Sequence, residues 1–250
     1  MTESLLGDNL DRLETAIAAA CRAAGRERED VELVAVSKGH PALALLEAAK
    51  LGLYVFGENR VQEFASKSVD LALMLTNVPG SAMPVRQALR VHLIGHLQSN
   101  KAAKAAEIFD AVDSVDSLKL AERLDEAAGK LGKRLPVLLE IKLSHEETKA
   151  GLAPDSRELD ELLEKLPSLA NLDAEGLMTI APLDVPESET RACFRSLRVL
   201  RDKIAQAHPR LNLPVLSMGM SGDFALAIEE GATRIRVGTA LFGARPGYAR

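Results

Sequence analysis

Short apolar runs alternate with longer amphipathic stretches along most of the chain. The first stretch is helical: Leu6, Leu10, Leu13, Ile17 and Ala20 recur at spacings of four and three, with Asp11, Arg12 and Glu14 between them. That is the stripe of a helix with one buried face. Gly25 and the charged run from Arg26 to Asp30 end it. Residues 32–36 read differently, as an apolar run bounded by charge and by Gly39-His40-Pro41, the pattern of a strand covered on both faces. Pro41 opens a helix over 42–50, since proline suits the first helical turn. The same alternation predicts strands over 53–56, 91–94, 110–114, 136–142, 172–180, 213–217 and 234–237. Helices are predicted from 59 to about 69, over 99–108 and 118–131, from Asp155 onward, over 187–207 and 222–230, and briefly over 239–242. Asp155 and Glu158 form a capping-box pattern, followed by Leu159, Leu162, Leu163 and Leu166 on one face. The stretch from Thr76 to Pro84 reads as a surface loop.

Eight strands, each followed by a helical pattern, imply parallel strands joined by right-handed crossovers. The predicted fold is α/β, a (β/α)8 barrel with an extra N-terminal helix, and such barrels typically run to about 250 residues. A doubly wound open sheet competes. It would show a glycine-rich first strand-to-helix turn, and here that turn is Ser37-Lys38-Gly39-His40-Pro41. No linker or repeat interrupts the pattern, so residues 1–250 are expected to form one domain.

Composition narrows the function classes. Aromatic residues make up 3%, with no Trp and two Tyr, so the core must be aliphatic and there are few platforms on which bases could stack. The net charge of −5 provides no basic footprint for nucleic acid or an anionic membrane. Cys21 and Cys193 match no metal or redox spacing and are expected to be reduced thiols. No apolar run reaches membrane-spanning length, and the first residues lack a basic leader pattern. A cytoplasmic protein is expected.

Barrels place their chemistry where strands end and loops into helices begin. This filter selects Lys38, the Gly57-Glu58-Asn59 end, His92 with Gly95-His96, the run from Ser217 to Gly222, and Arg236 to Thr239. An isolated lysine at a strand end is usually a solvated one. The alternative is an amine whose neutral form is favoured by desolvation and which condenses with a carbonyl. Gly219-Met220-Ser221-Gly222 and Gly238-Thr239 each precede a helix, whose free N–H groups attract anions. Either alone reads as a capped turn. Together, at the strand ends where barrels hold phosphate, they read as a phosphate cup with Ser221 and Thr239 as hydroxyl donors. A phosphate cup plus a carbonyl-reactive lysine fits pyridoxal 5′-phosphate (PLP), and equally an aldolase acting on a sugar phosphate. Arg236 lies two residues before Gly238, so on a strand it points into the barrel mouth, unless it is a salt-bridged strand-end arginine. His92 and His96 lack a Glu or Cys to complete a zinc pattern, so no metal site is expected. Arg191, Arg195, Arg198 and Arg201 read as the solvated side of a helix.

These residues carry a family resemblance. It runs through Val34-Ala35-Val36-Ser37-Lys38, Phe56-Gly57-Glu58-Asn59-Arg60-Val61-Gln62-Glu63, and the run from His92 to Lys101. Lys149-Ala150-Gly151, Gly176-Leu177-Met178-Thr179-Ile180, Ser217-Met218-Gly219-Met220-Ser221 and the run from Arg236 to Gly243 continue it. In this order, over nearly the whole chain, they resemble the pyridoxal phosphate homeostasis proteins. The resemblance implies a single barrel like the N-terminal domain of alanine racemase, with Lys38 holding PLP as a Schiff base. It implies that Ser221, Gly238 and Thr239 hold the phosphate with a backbone N–H of Gly222, and that Arg236 faces the pyridine nitrogen. Asn59 and His92 would line the pocket, with Ser217 and Met178. Three departures stand out: Gly39 and His40 precede Pro41, Val91 precedes His92, and the stretch 66–89 is longer than usual.

The implied role is a non-enzymatic, monomeric carrier that buffers PLP and passes it to PLP-dependent apo-enzymes, with no catalytic residue. An amino-acid racemase is the competing reading. It needs a second acid–base group, and Tyr54 and Tyr248 are poorly placed for that. A phosphosugar aldolase would need a carboxylate or a second lysine beside Lys38, and the sequence singles out neither.

Overall fold

The computed structural model describes residues 3–76, 89–144 and 150–244. After helix α1 (Glu3–Ala23) come β1 (Glu32–Val36), α2 (Ala42–Lys50), β2 (Val55–Glu58), α3 (Val61–Thr76) and β3 (Arg90–Leu93). Then follow α4 (Ala102–Ile108), β4 (Ala111–Val115), α5 (Leu118–Lys130), β5 (Leu135–Glu140), α6 (Arg157–Lys165) and β6 (Leu172–Met178). The last elements are α7 (Glu187–Ala207), β7 (Val215–Ser217), α8 (Phe224–Glu229), β8 (Arg234–Val237) and α9 (Thr239–Phe242). The strands close in sequence order into a parallel barrel, with β8 beside β1 and Val34 level with Arg236. Alternation along each strand decides which side chains face inward. Leu33, Ala35, Ile235 and Val237 join the core between barrel and helices, whereas Val36, Lys38, Arg236 and Gly238 face the cavity at the barrel mouth. The buried stripe of α1 packs on α8 and α9, and the Asn9 amide donates to the Leu241 carbonyl at 2.9 Å.

Several boundaries move for local reasons. β2 starts and ends two residues later than 53–56, because its ladder with β1 sets Phe56 beside Ala35 and Gly57 beside Val36. β7 is cut to three residues, and Pro214, just before it, has no N–H to give to a ladder. Pro41 sits just outside α2, as its cap residue. The 99–108 segment opens as a tight turn over Ser99–Lys101 before α4. α3 runs on to Thr76, so the predicted loop starts inside a helix, and the rest of that stretch lies outside the described residues. α6 is capped by Ser156 and not by Asp155: the Leu159 N–H donates to Ser156 Oγ at 3.2 Å. Ser156→Ala is expected to cost about 1 kcal/mol in urea unfolding, with Asp155→Ala near neutral.

The arginines of α7 are not simply a solvated face. Arg195 grips Glu230 through two hydrogen bonds, 2.8 and 3.1 Å, and Arg191 reaches Glu229 at 2.6 Å. Glu230 is 6% exposed, and a carboxylate buried that far needs such partners. The pairs tie α7 to the end of α8. Cys21 and Cys193 are both buried. Among the described residues, no helix is long and apolar enough to cross a membrane.

Candidate functional site

A cavity of about 620 Å³ opens at the C-terminal ends of the strands. Lys38 reaches it because it continues the inward series of Val34 and Val36, one residue past β1 plus Ser37. The chain then turns at Gly39, whose φ of 74° favours glycine. The two glycine-rich ends follow β7 and β8, so the Gly238 end stands directly beside the β1 end that carries Lys38. Gly219 has φ 95°, and a Cβ there would stand 2.6 Å from Ala227 Cβ, so only glycine lets the loop press onto α8. A Cβ on Gly238 would meet the Val36 carbonyl at 3.1 Å. Ser221 links the two loops by accepting from the Ala240 N–H at 3.4 Å. Ser221, Gly222, Gly238 and Thr239 all line the cavity, as does Asn59 at the end of β2.

Arg236 points in from β8 and is buried. Its guanidinium is fixed by two donated bonds, one to Ser217 Oγ and one to the Thr179 carbonyl, both 2.8 Å. Burial pulls its pKa below the usual arginine range, and Asp113, Glu140 and Asp223 pull it back up.

Three residues expected on the wall lie one layer below it. His92 is level with Gly57, and the wall beyond it is made by Ile94. Met178 is fully buried, and Ile180 lines the cavity in its place. Ser217 is level with Arg234 and acts on the wall only through Arg236. His92 instead belongs to an ion network inside the barrel. Its Nδ1 stands 3.2 Å from Asp113 Oδ1, and Arg234 reaches Asp113 at 3.4 Å and Glu32 at 2.5 Å.

Sequence reasoning missed Glu140, the last residue of β5. It is 7% exposed, faces the cavity, and its Oε2 has no hydrogen-bond partner among the described residues. Burial, reinforced by Asp116, raises its pKa to about 7 against the pull of Arg236 and His96. Its signal in the sequence was the one that marked Lys38, a charge closing an apolar strand. His96 also lines the cavity, paired with Asp116 at 2.9 Å, and Lys142 lines it two residues beyond Glu140. Among the described residues no cluster of His, Cys, Asp and Glu could hold a metal.

The family model for the alanine racemase N-terminal domain matches residues 9–246. The pyridoxal phosphate homeostasis protein of Pseudomonas aeruginosa is 41% identical over 242 residues, covering 97% of this chain and 96% of that one. Its Vibrio cholerae counterpart is 40% identical over 243 residues, 97% of each chain. The solved structure of PipY from Synechococcus elongatus with PLP bound is 42% identical, with a TM-score of 0.78 over 95% of this chain and 100% of that one. An alanine racemase from Clostridium difficile, 18% identical, shares the fold with a TM-score of 0.71 over 96% of this chain and 58% of its own.

Proposed function

The chain belongs to the alanine racemase N-terminal domain family and, within it, to the pyridoxal phosphate homeostasis proteins, and on that footing we propose that it is a cytoplasmic, non-enzymatic carrier that buffers PLP and delivers it to PLP-dependent apo-enzymes. One observation carries the reading: a single cavity sets a primary amine, Lys38, against two loops built from glycines and hydroxyls. The donor set fits this cofactor. Gly219 and Gly238 let their loops press onto α8 and β1, which leaves Ser221, Gly222, Gly238 and Thr239 on the cavity wall, and the fixed cation of Arg236 stands in the same cavity.

When bound, PLP supplies an aldehyde that condenses reversibly with a primary amine. Lys38 is that amine in our reading, half-buried at the edge of the cavity. Ser221, Gly222, Gly238 and Thr239 hold the phosphate through hydroxyls and backbone N–H groups, and Asn59 closes the wall beside Lys38. Arg236, held by Ser217 and the Thr179 carbonyl, would face the ring nitrogen as a donor. It offers no acceptor, so it cannot keep a proton on that nitrogen. A ring left unprotonated is a weak electron sink, which favours holding and releasing the cofactor over turning over an amino acid. His92 acts beneath the wall, through Asp113.

Among the described residues no tyrosine lines the cavity to serve a racemase as its second base: Tyr54 is 43% exposed just before the second strand, at the end of the barrel away from the cavity, and Tyr248 lies outside the described residues. Glu140 and Lys142 do supply the carboxylate and second lysine that a phosphosugar aldolase would need, but membership of this family points away from that activity.

Purified protein mixed with PLP is expected to gain a visible absorption band that survives gel filtration, at one cofactor per chain, and to run as a monomer. Failure to retain cofactor would sink the proposal. Turnover of D- or L-alanine at an enzyme-like rate would overturn its non-enzymatic half.

A further inference from the structure

A buried charged cluster lies behind the strand that carries Lys38, on the side away from the cavity. On β1 and β2 the side chains facing the helices begin as Leu33, Ala35 and Phe56, all part of the apolar core. The layer level with Lys38 is different: Ser37 and Glu58 are polar and fully buried. Lys67 of α3 closes this layer. Its Nζ donates to Glu58 Oε1 at 2.5 Å and to the Ser37 carbonyl at 3.0 Å, and stands 3.3 Å from Glu63 Oε1. Ser37 Oγ donates to Glu58 Oε1 at 2.7 Å, and the Gly39 N–H donates to Glu63 Oε1 at 2.6 Å. The two peptide groups that flank the Lys38 Cα are therefore each held by a charged side chain, and both side chains sit one turn apart on one helix.

Such an arrangement is a poor way to gain stability. Buried ion pairs are often replaced by apolar residues at no loss, because desolvation offsets their attraction. Burial raises the pKa of Glu58 even with Lys67 beside it. None of Glu58, Glu63 and Lys67 lines the cavity, so none touches a ligand there. What the cluster does hold is backbone, at the junction where β1 gives way to the Gly39 turn.

We propose that Glu58, Lys67 and Glu63 are positioning residues for Lys38: helix α3 fixes the peptide planes on both sides of the lysine and so sets the direction from which its amine enters the cavity. The proposal rests on the reading of Lys38 as the cofactor-binding amine. A reactive group must be held to within about half an ångström of its working geometry, by neighbours that are themselves fixed.

The test compares two ligands that share the phosphate cup. PLP needs both the cup and Lys38; pyridoxine 5′-phosphate has no aldehyde and needs the cup alone. In Lys67→Met, which keeps length and loses charge, covalent capture of PLP is expected to slow by about tenfold or more, while pyridoxine 5′-phosphate binds within about threefold of wild type. Lys67→Arg, which restores the donor, is expected to recover part of the capture rate. Glu63 supplies a second route should Lys67→Met fail to fold, because its side chain is part-exposed. Glu63→Gln keeps an acceptor for the Gly39 N–H and is expected to capture near the wild-type rate; Glu63→Leu removes the acceptor and is expected to be slow. Equal loss of both ligands in Lys67→Met, or equal rates in Glu63→Gln and Glu63→Leu, would overturn the positioning role. A wild-type protein that captures no PLP would instead overturn the proposed function itself.

Discussion

Lys38→Ala is expected to abolish the PLP adduct that borohydride traps on the wild-type protein, and to lower PLP affinity by about a hundredfold, roughly 2.8 kcal/mol. The phosphate cup is untouched by the change, so a weaker, non-covalent affinity should remain and should be competed by inorganic phosphate. The fold should survive as well. Lys38 is half-buried at the edge of the cavity, and the apolar side chains that bind β1 to its neighbours and helices, Leu33, Val34 and Ala35, all precede it. The measurement is peptide mass mapping after reduction, read against absorbance. Mapping matters because Lys142 lines the same cavity. An adduct that persists in Lys38→Ala at wild-type yield, on Lys142 or elsewhere, would show that Lys38 is not the anchoring amine.

Strand parity is what makes Lys38 stand out in the amino-acid sequence. Inward positions on a barrel strand alternate strictly, and a charge ending the apolar run of residues 32–36 has one place to go. The eight-unit barrel was legible for the same reason, since a fully buried parallel strand reads as a short apolar block between two amphipathic ones. Depth along the strand was not legible. His92, Met178 and Ser217 have the right parity but stop one layer short of the cavity, and the residues that take their place on two of those strands are apolar, Ile94 and Ile180. The register between strands contributes to this: Ser217 stands beside Arg234, two residues short of Arg236. Register is a relation between distant segments, and no single run of residues carries it. The contacts of Lys67 and Arg195 were hidden for a related reason. Arg195 sits on a helix side that reads as solvated, and both residues meet a buried carboxylate from another element.

Glu140→Gln is expected to stabilise the protein at pH 8 by about 3 kcal/mol and to leave it nearly unchanged near pH 4. The folded carboxyl holds its proton up to about pH 7, while its ordinary pKa is 4.5. As pH rises through 4.5 the unfolded chain ionises first, so the folded state loses stability steadily across the window from 4.5 to about 7. Above 7 both states are ionised and the penalty stays at its full size. Glutamine has no proton to lose, so its advantage should appear over that window and then level off. Urea unfolding of cofactor-free protein at a series of pH values measures it, and at pH 8 the melting temperature should rise by roughly 6 °C or more. A Glu140→Gln advantage that is the same at pH 5 and pH 8 would show that burial does not hold this carboxyl in its neutral form. The charges around it explain why the fold does not relieve the cost. Asp116 adds to the burial, and the groups that oppose it, Arg236 and His96, are themselves engaged with Ser217 and Thr179 and with Asp116. A carboxylate that costs stability and keeps an unpartnered oxygen on the cavity wall has no structural reason to be there. Sites that break the local rules of burial in this way are where function is expected, and Glu140 stands in the same cavity as Lys38.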